Sequence, residues 1–123
     1  MIQAGSVLIG KYPPGSGKDR RIIIVTHPNQ DKDGRVAGVY LSTILADLTV
    51  VLEPGSHPLI SQRCSVVFEE AFITRSSHII LGIENRLIEL HPDLIDPQIL
   101  ETILEGIYES APAKVERFCT ERT

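Results

Sequence analysis

The chain has 123 residues, a formal net charge of −4, 42% apolar and 5% aromatic residues, and two cysteines. That length suits one domain around one core, and the apolar share argues against disorder. No apolar run reaches the roughly 18–20 residues of a bilayer span and no basic, apolar leader opens the chain, so a cytoplasmic protein away from the membrane is expected.

In chain order, GSVLIGKY (residues 5–12) reads as a first strand. RRIIIVTH (20–27) reads as a second, because its β-branched run is too short for a helix and Pro28 closes it. PNQDKDGR is a turn with Asp33-Gly34 as a hairpin-type pair, and VAGVYLST (36–43) is a third strand with Gly38 as a candidate bulge. DLTVVLEPG (47–55) gives a fourth strand, stopped by Pro54-Gly55. CSVVFEEAFITR (64–75) gives a fifth, bent near Glu69-Glu70, and RLIELH (86–91) a short last one. The period then changes. Asp96 is an N-cap candidate, Pro97 suits the first helical position, and Ile99, Leu100, Ile103, Leu104, Ile107 and Tyr108 recur at helical spacing until Ala111-Pro112. The expectation is a mainly β fold with a C-terminal helix: one domain over residues 1–111 and a polar, loosely held tail over 112–123.

Charge is unevenly spread. From Lys11 to Arg35, six basic residues against three acids leave that stretch at +3 and the remainder at −7. A basic segment on an acidic body suits a local anion site. The stretch PPGSGKDRRIIIV (13–25) invites comparison with a nucleotide-binding loop. It fails on three counts: Tyr12 stands where the first Gly belongs, Asp19 where the magnesium-binding hydroxyl belongs, and a strand follows where a helix is needed. The Gly-rich segment is expected instead to be a mobile connection between two strands.

Other chemistry is sparse. His27, His57, His78 and His91 form no ligand pair, and Cys64 and Cys119 match no metal or redox spacing, so no metal and no cofactor are expected. No G-x-S-x-G elbow is present. Glu69 and Glu70, adjacent on a strand, are expected to point to opposite faces. Arg20 and Arg21 are expected to split across two faces in the same way. Arginine's planar fork suits a phosphodiester, and the hydroxyls of Ser42 and Thr43 at the end of the third strand can donate to phosphate oxygens.

This order of elements resembles the PemK/MazF family of toxin endoribonucleases. The resemblance is carried by GSVLIGKY, by GSGKDRRIIIV, by VVLEPGSHPLISQRCSVVFEEAFIT with its Gly-x-His-Pro motif, and by LIELHPDLIDPQILETILEGI, together roughly residues 5–110. It implies a small SH3-like barrel and metal-independent cleavage of single-stranded RNA by a toxin of a type II toxin–antitoxin pair. It further implies a homodimer restrained by an antitoxin peptide. Carried over residue by residue, it assigns catalysis to Arg20 or Arg21 together with Thr43 or Ser42. RNA binding would fall to Lys11, Lys18, His57 and Ser65, under a flap formed by residues 13–19. The competing expectation is a catalytically silent SH3-like module that binds protein or nucleic acid through the same groove.

Overall fold

A computed structural model describes residues 1–11 and 18–123. Six strands, β1 (Val7–Gly10), β2 (Arg20–Ile24), β3 (Arg35–Ser42), β4 (Val51–Leu52), β5 (Cys64–Arg75) and β6 (Ile88–Leu90), form one sheet in the order β4-β5-β3-β2-β1-β6. All neighbours are antiparallel, and the sheet curls into a half-barrel. Among the described residues three α-helices accompany it, α1 (Ser76–Glu84), α2 (Pro97–Ser110) and α3 (Ala113–Arg122), with a short 3-10 turn at Pro28–Gln30.

The uninterrupted apolar run after Arg21 has a direct cause. Side chains alternate across a strand, and here both faces of the sheet are covered. Ile23 and Val25 enter one core with Val39, Val66 and Phe68, sealed by Ile103 and Ile107 of α2 and by Val115, Phe118 and Cys119 of α3. Ile22 and Ile24 enter the other with Leu8, Val36 and Tyr40, under Ile79 of α1 and Ile88 of β6. The same alternation separates Arg20 from Arg21.

β5 runs over the bounds expected from sequence, with an irregularity where the bend was expected. Its partners on β3 change register between Gly38 and Tyr40, so Phe68, Glu69, Glu70 and Ala71 face Val39 alone. The surplus resets the alternation: Phe68 lies in the α2 core, whereas Phe72 packs on the α1 side, 5.0 Å from the Tyr40 ring. It also overturns the expectation for the two glutamates. Glu69 and Glu70 are both exposed and line one groove, because a bulge suspends the two-residue period. Gly38 leaves room here for the Phe72 ring, since a Cβ would lie 2.6 Å from its Cζ and would have to displace it.

Two helices were not expected. In α1 only Ile79 is buried, and the helix ends with the Leu87 amide donating to the Gly82 carbonyl and Arg86 at φ 60°. Residues 113–122, expected to be a loose polar tail, form α3. Its Val115, Phe118 and Cys119 are buried, and Tyr108 and Thr123 share a hydroxyl hydrogen bond of 2.9 Å. Arg122 returns to the turn before β3, where its guanidinium donates to Asp31 Oδ1 at 2.6 Å and covers the Phe118 ring at 3.8 Å. Asp31 also accepts from the Arg35 side chain and from the amides of Asp33 and Arg35. The Arg35 side chain, with the Arg35 amide and Arg122 behind it, holds the Asp31 carboxyl far below the usual carboxylate range despite burial. The fourth strand is shorter than expected because Asp47 folds back to accept the Thr49 amide, leaving only Val51–Leu52 to pair with β5. α2 is as expected: Asp96 accepts the Gln98 amide at 2.8 Å, and Ile103 and Ile107 form the buried stripe.

Candidate functional site

The register of β2 and β3 sets Arg21 opposite Leu41, which places Arg20 beside Ser42 and sends the two arginines to opposite faces. Each face has its own hollow and its own hydroxyl. Arg21 and Thr43 line a cleft of about 160 Å³ whose far wall is Leu59, Ile60, Ser61, Gln62 and Cys64. Arg20 and Ser42 line a wider groove of about 550 Å³ with Asp47, Glu69 and Glu70.

Electrostatics separates the two hollows. The Arg20 guanidinium pairs with Glu70 at 3.3 Å and stacks 3.8 Å from the centroid of the Tyr40 ring. Its charge is met on both sides, and Asp47 and Glu69 make that groove acidic. Hydrogen bonds from Thr49 and the Phe68 amide keep Asp47 below the usual carboxylate range although burial opposes them. The Ser42 hydroxyl is also engaged, accepting the Ile44 amide at 3.1 Å. An anion gains little from such a groove.

Arg21 differs. Its Nε donates to the Leu59 carbonyl, and among the described residues no carboxylate lies within ion-pair distance of it. Among the described residues neither terminal nitrogen has a hydrogen-bond partner, which leaves both for a ligand in the cleft. Thr43 is exposed, and its hydroxyl has no hydrogen-bond partner among the described residues. Cys64, which also lines the cleft, is buried; burial raises its thiol pKa and the Arg21 charge pulls it partly back. A half-buried cation, a hydroxyl and the polar side chains of Ser61 and Gln62 can hold a phosphate. Among the described residues, no three His, Cys, Asp or Glu side chains gather as a metal site.

The remaining sequence candidates lie elsewhere. Lys11 is exposed but lines a different cleft with His78 and Leu81. Lys18 is exposed at the approach to β2. Ser65 is fully buried, its hydroxyl donating to the Ile44 carbonyl at 3.4 Å. His57 is 3% exposed with both ring nitrogens engaged, so neither Ser65 nor His57 offers a polar atom to a nucleic acid in this conformation. Of the flap expected over residues 13–19, residues 13–17 lie outside the described residues. The far wall of the cleft, Leu59 to Gln62, was not identified from sequence; nothing in LISQ marks it, and only the fold brings it to Arg21.

Comparison of the chain with protein-family models, with curated proteins and with solved structures finds no match. No helix among the described residues is long and apolar enough to cross a membrane.

Proposed function

We propose that this chain is a PemK/MazF-like toxin of a type II toxin–antitoxin pair. In this reading the half-barrel is an SH3-like barrel that cleaves single-stranded RNA without a metal, in the cytoplasm, as a homodimer opposed by an antitoxin peptide. One observation carries it: Arg21 of β2 and Thr43, just past β3, line one cleft, and among the described residues no carboxylate lies within ion-pair distance of the guanidinium. The resemblance left two arginines and two hydroxyls open. Electrostatics favours Arg21 with Thr43, because Glu70 already neutralises Arg20.

The chemistry follows from the groups present. The ribose 2′-hydroxyl attacks the adjacent phosphorus and loses its proton to solvent, and the P–O5′ bond breaks as O5′ takes up a proton from solvent. The products are a 2′,3′-cyclic phosphate and a 5′-hydroxyl. Negative charge builds on the non-bridging oxygens as the phosphorus gains a fifth ligand. The terminal nitrogens of Arg21 face that charge, and Thr43 orients one oxygen. Removing one such donor costs roughly 100- to 1,000-fold in kcat.

A second reading has its own support. The described residues that line the cleft include no imidazole and no carboxylate, so no side chain there is a general base of ordinary pKa. That lining suits a module that holds a phosphodiester and leaves it intact. One experiment separates the two: the purified chain and its Arg20→Ala, Arg21→Ala and Thr43→Ala variants are incubated with single-stranded RNA, and binding and product ends are measured. Cleavage to cyclic phosphate, lost in Arg21→Ala and kept in Arg20→Ala, is the expected outcome. Arg21-dependent binding without cleavage would establish the module. Cleavage that depends on Arg20 alone would overturn the choice of cleft.

A further inference from the structure

The Gly-x-His-Pro motif has a place in the structure that its residue types alone do not reveal. His57 begins a tight turn: the Ile60 amide returns to the His57 carbonyl at 2.8 Å, with Pro58 at the second position. Inside that turn, His57 Nδ1 accepts the Leu59 amide at 3.0 Å. The proton must then sit on Nε2, which donates to the Asp93 carbonyl at 2.7 Å. Asp93 is itself fixed, because its amide donates to His91 Nδ1 at 3.0 Å while the His91 ring meets that of His57 edge-on at 4.8 Å. The other polar end of Leu59, its carbonyl, receives Arg21 Nε–H.

We propose that His57 is a positioning residue for Arg21. The buried imidazole ties the segment after β6 to the Leu59 amide, inside the turn whose Leu59 carbonyl aims the guanidinium. With Nε–H fixed on the Leu59 carbonyl, the fork turns about one anchored bond, and its two terminal nitrogens are presented together to the cleft. Without the Nδ1 acceptor the Leu59 amide loses its partner, the turn is held by the bond from Ile60 to the His57 carbonyl alone, and the Leu59 carbonyl that anchors Arg21 is fixed less closely. The consequence for RNA rests on the function proposed above. The aiming of Arg21 does not, and it is observable without any substrate.

The test compares three substitutions. Asn at position 57 places its side-chain oxygen where Nδ1 lies and can accept the amide two residues on. Gln reaches instead toward the Asp93 carbonyl and leaves the Leu59 amide unpaired. Ala removes both. In ¹⁵N-labelled protein, solvent exchange of the Arg21 Nε–H signal is expected to be slow in the unmodified chain and in His57→Asn, and fast in His57→Gln and His57→Ala. Where the chain cleaves RNA, kcat should fall about 10- to 100-fold in the Gln and Ala variants and recover in Asn, the range seen when a partner that orients a working group is lost. Rescue by Gln but not Asn would mean that His57 serves only as a strut to Asp93, and the proposal falls. Should every variant unfold, the unmodified chain decides: a ¹⁵N–¹⁵N coupling across the hydrogen bond between the Leu59 amide and His57 Nδ1 is expected, and its absence overturns the proposal. An unmodified chain that leaves RNA intact yet shows the protected Arg21 signal and its Asn rescue refutes the nuclease and keeps the positioning role.

Discussion

Gly106, in the middle of α2, offers the sharpest test of how the helix sits on the sheet. A Cβ built there lies 2.3 Å from Cζ of Phe68 and 2.8 and 2.9 Å from its two Cε atoms. Carbon atoms settle at about 3.5–4.0 Å, so Gly106→Ala requires the ring and the helix to part by more than roughly 1 Å. Neither gives easily: Phe68 is 0% exposed, and Ile103 and Ile107, which flank Gly106 on the same helix, are 0% exposed as well. Overpacking of this kind costs about 1–3 kcal/mol, and this site belongs at the upper end. Alanine's better helix propensity returns about 1 kcal/mol. The net loss is about 2 kcal/mol, a large part of an ordinary domain's stability and on the order of 8 °C in Tm. Urea unfolding followed by far-UV circular dichroism reads it as a lower midpoint at unchanged slope. Phe68→Leu supplies the control. Alone it costs about 1 kcal/mol, but it opens the space the new methyl needs, so the double variant should lie at least about 1 kcal/mol above the sum of the two losses. A Gly106→Ala chain as stable as the parent, or losses that add within about 0.5 kcal/mol, would refute the close approach.

Three further outcomes are expected. Asp31 has a depressed folded-state pKa, so the stability it contributes is complete above the ordinary carboxylate range and is lost as pH falls toward the folded value; Asp31→Asn should be less stable at neutral pH and lose less on acidification, measured by urea midpoints from pH 7 down to 3. Burial pushes the Cys119 thiol up to about 11 and raises Cys64 as well, so a thiol reagent at neutral pH should react with neither in the folded protein, and both should react at a common rate on unfolding. Arg86 holds φ 60° just past α1, the backbone region that glycine enters without cost; Arg86→Gly should raise stability by about 1 kcal/mol in thermal melts, and a fall would show that the arginine's side chain, not its backbone, decides the site.

What the sequence revealed follows the range of the interactions that shape each element. β5 and α2 are written locally, the first in a β-branched and aromatic run, the second in a cap, a proline and an unbroken helical stripe. α1 hides because SSHIILGIE has apolar residues on every side: Ile79 is buried, yet Ile80 and Leu81 stay exposed. α3 hides for the opposite reason. Its apolar positions Val115, Phe118 and Cys119 are correctly spaced but sit among charges, and its N-cap, Pro112, has no side-chain oxygen to accept a first-turn amide. At the candidate site, strand parity made the separation of Arg20 from Arg21 legible. The choice between them was not, because it depends on Glu70, 50 residues away and displaced by the β5 bulge.

The order of the strands has one more consequence. The borders of the sheet are β4, two residues long, and β6, three residues long. A long, flat border is what lets one chain add to another as an extra ribbon, the usual seed of fibrils and precipitates. The longest strand, β5, pairs with β3 along one edge, but β4 covers its other edge only at Cys64 and Ser65, so toward Arg75 that edge has no strand partner among the described residues. What guards that open stretch is the irregularity over residues 68–71, which bends it out of the flat geometry ribbon addition needs, together with the exposed charges of Glu69, Glu70 and Arg75; neutralising those charges is the change expected to favour pairing between molecules.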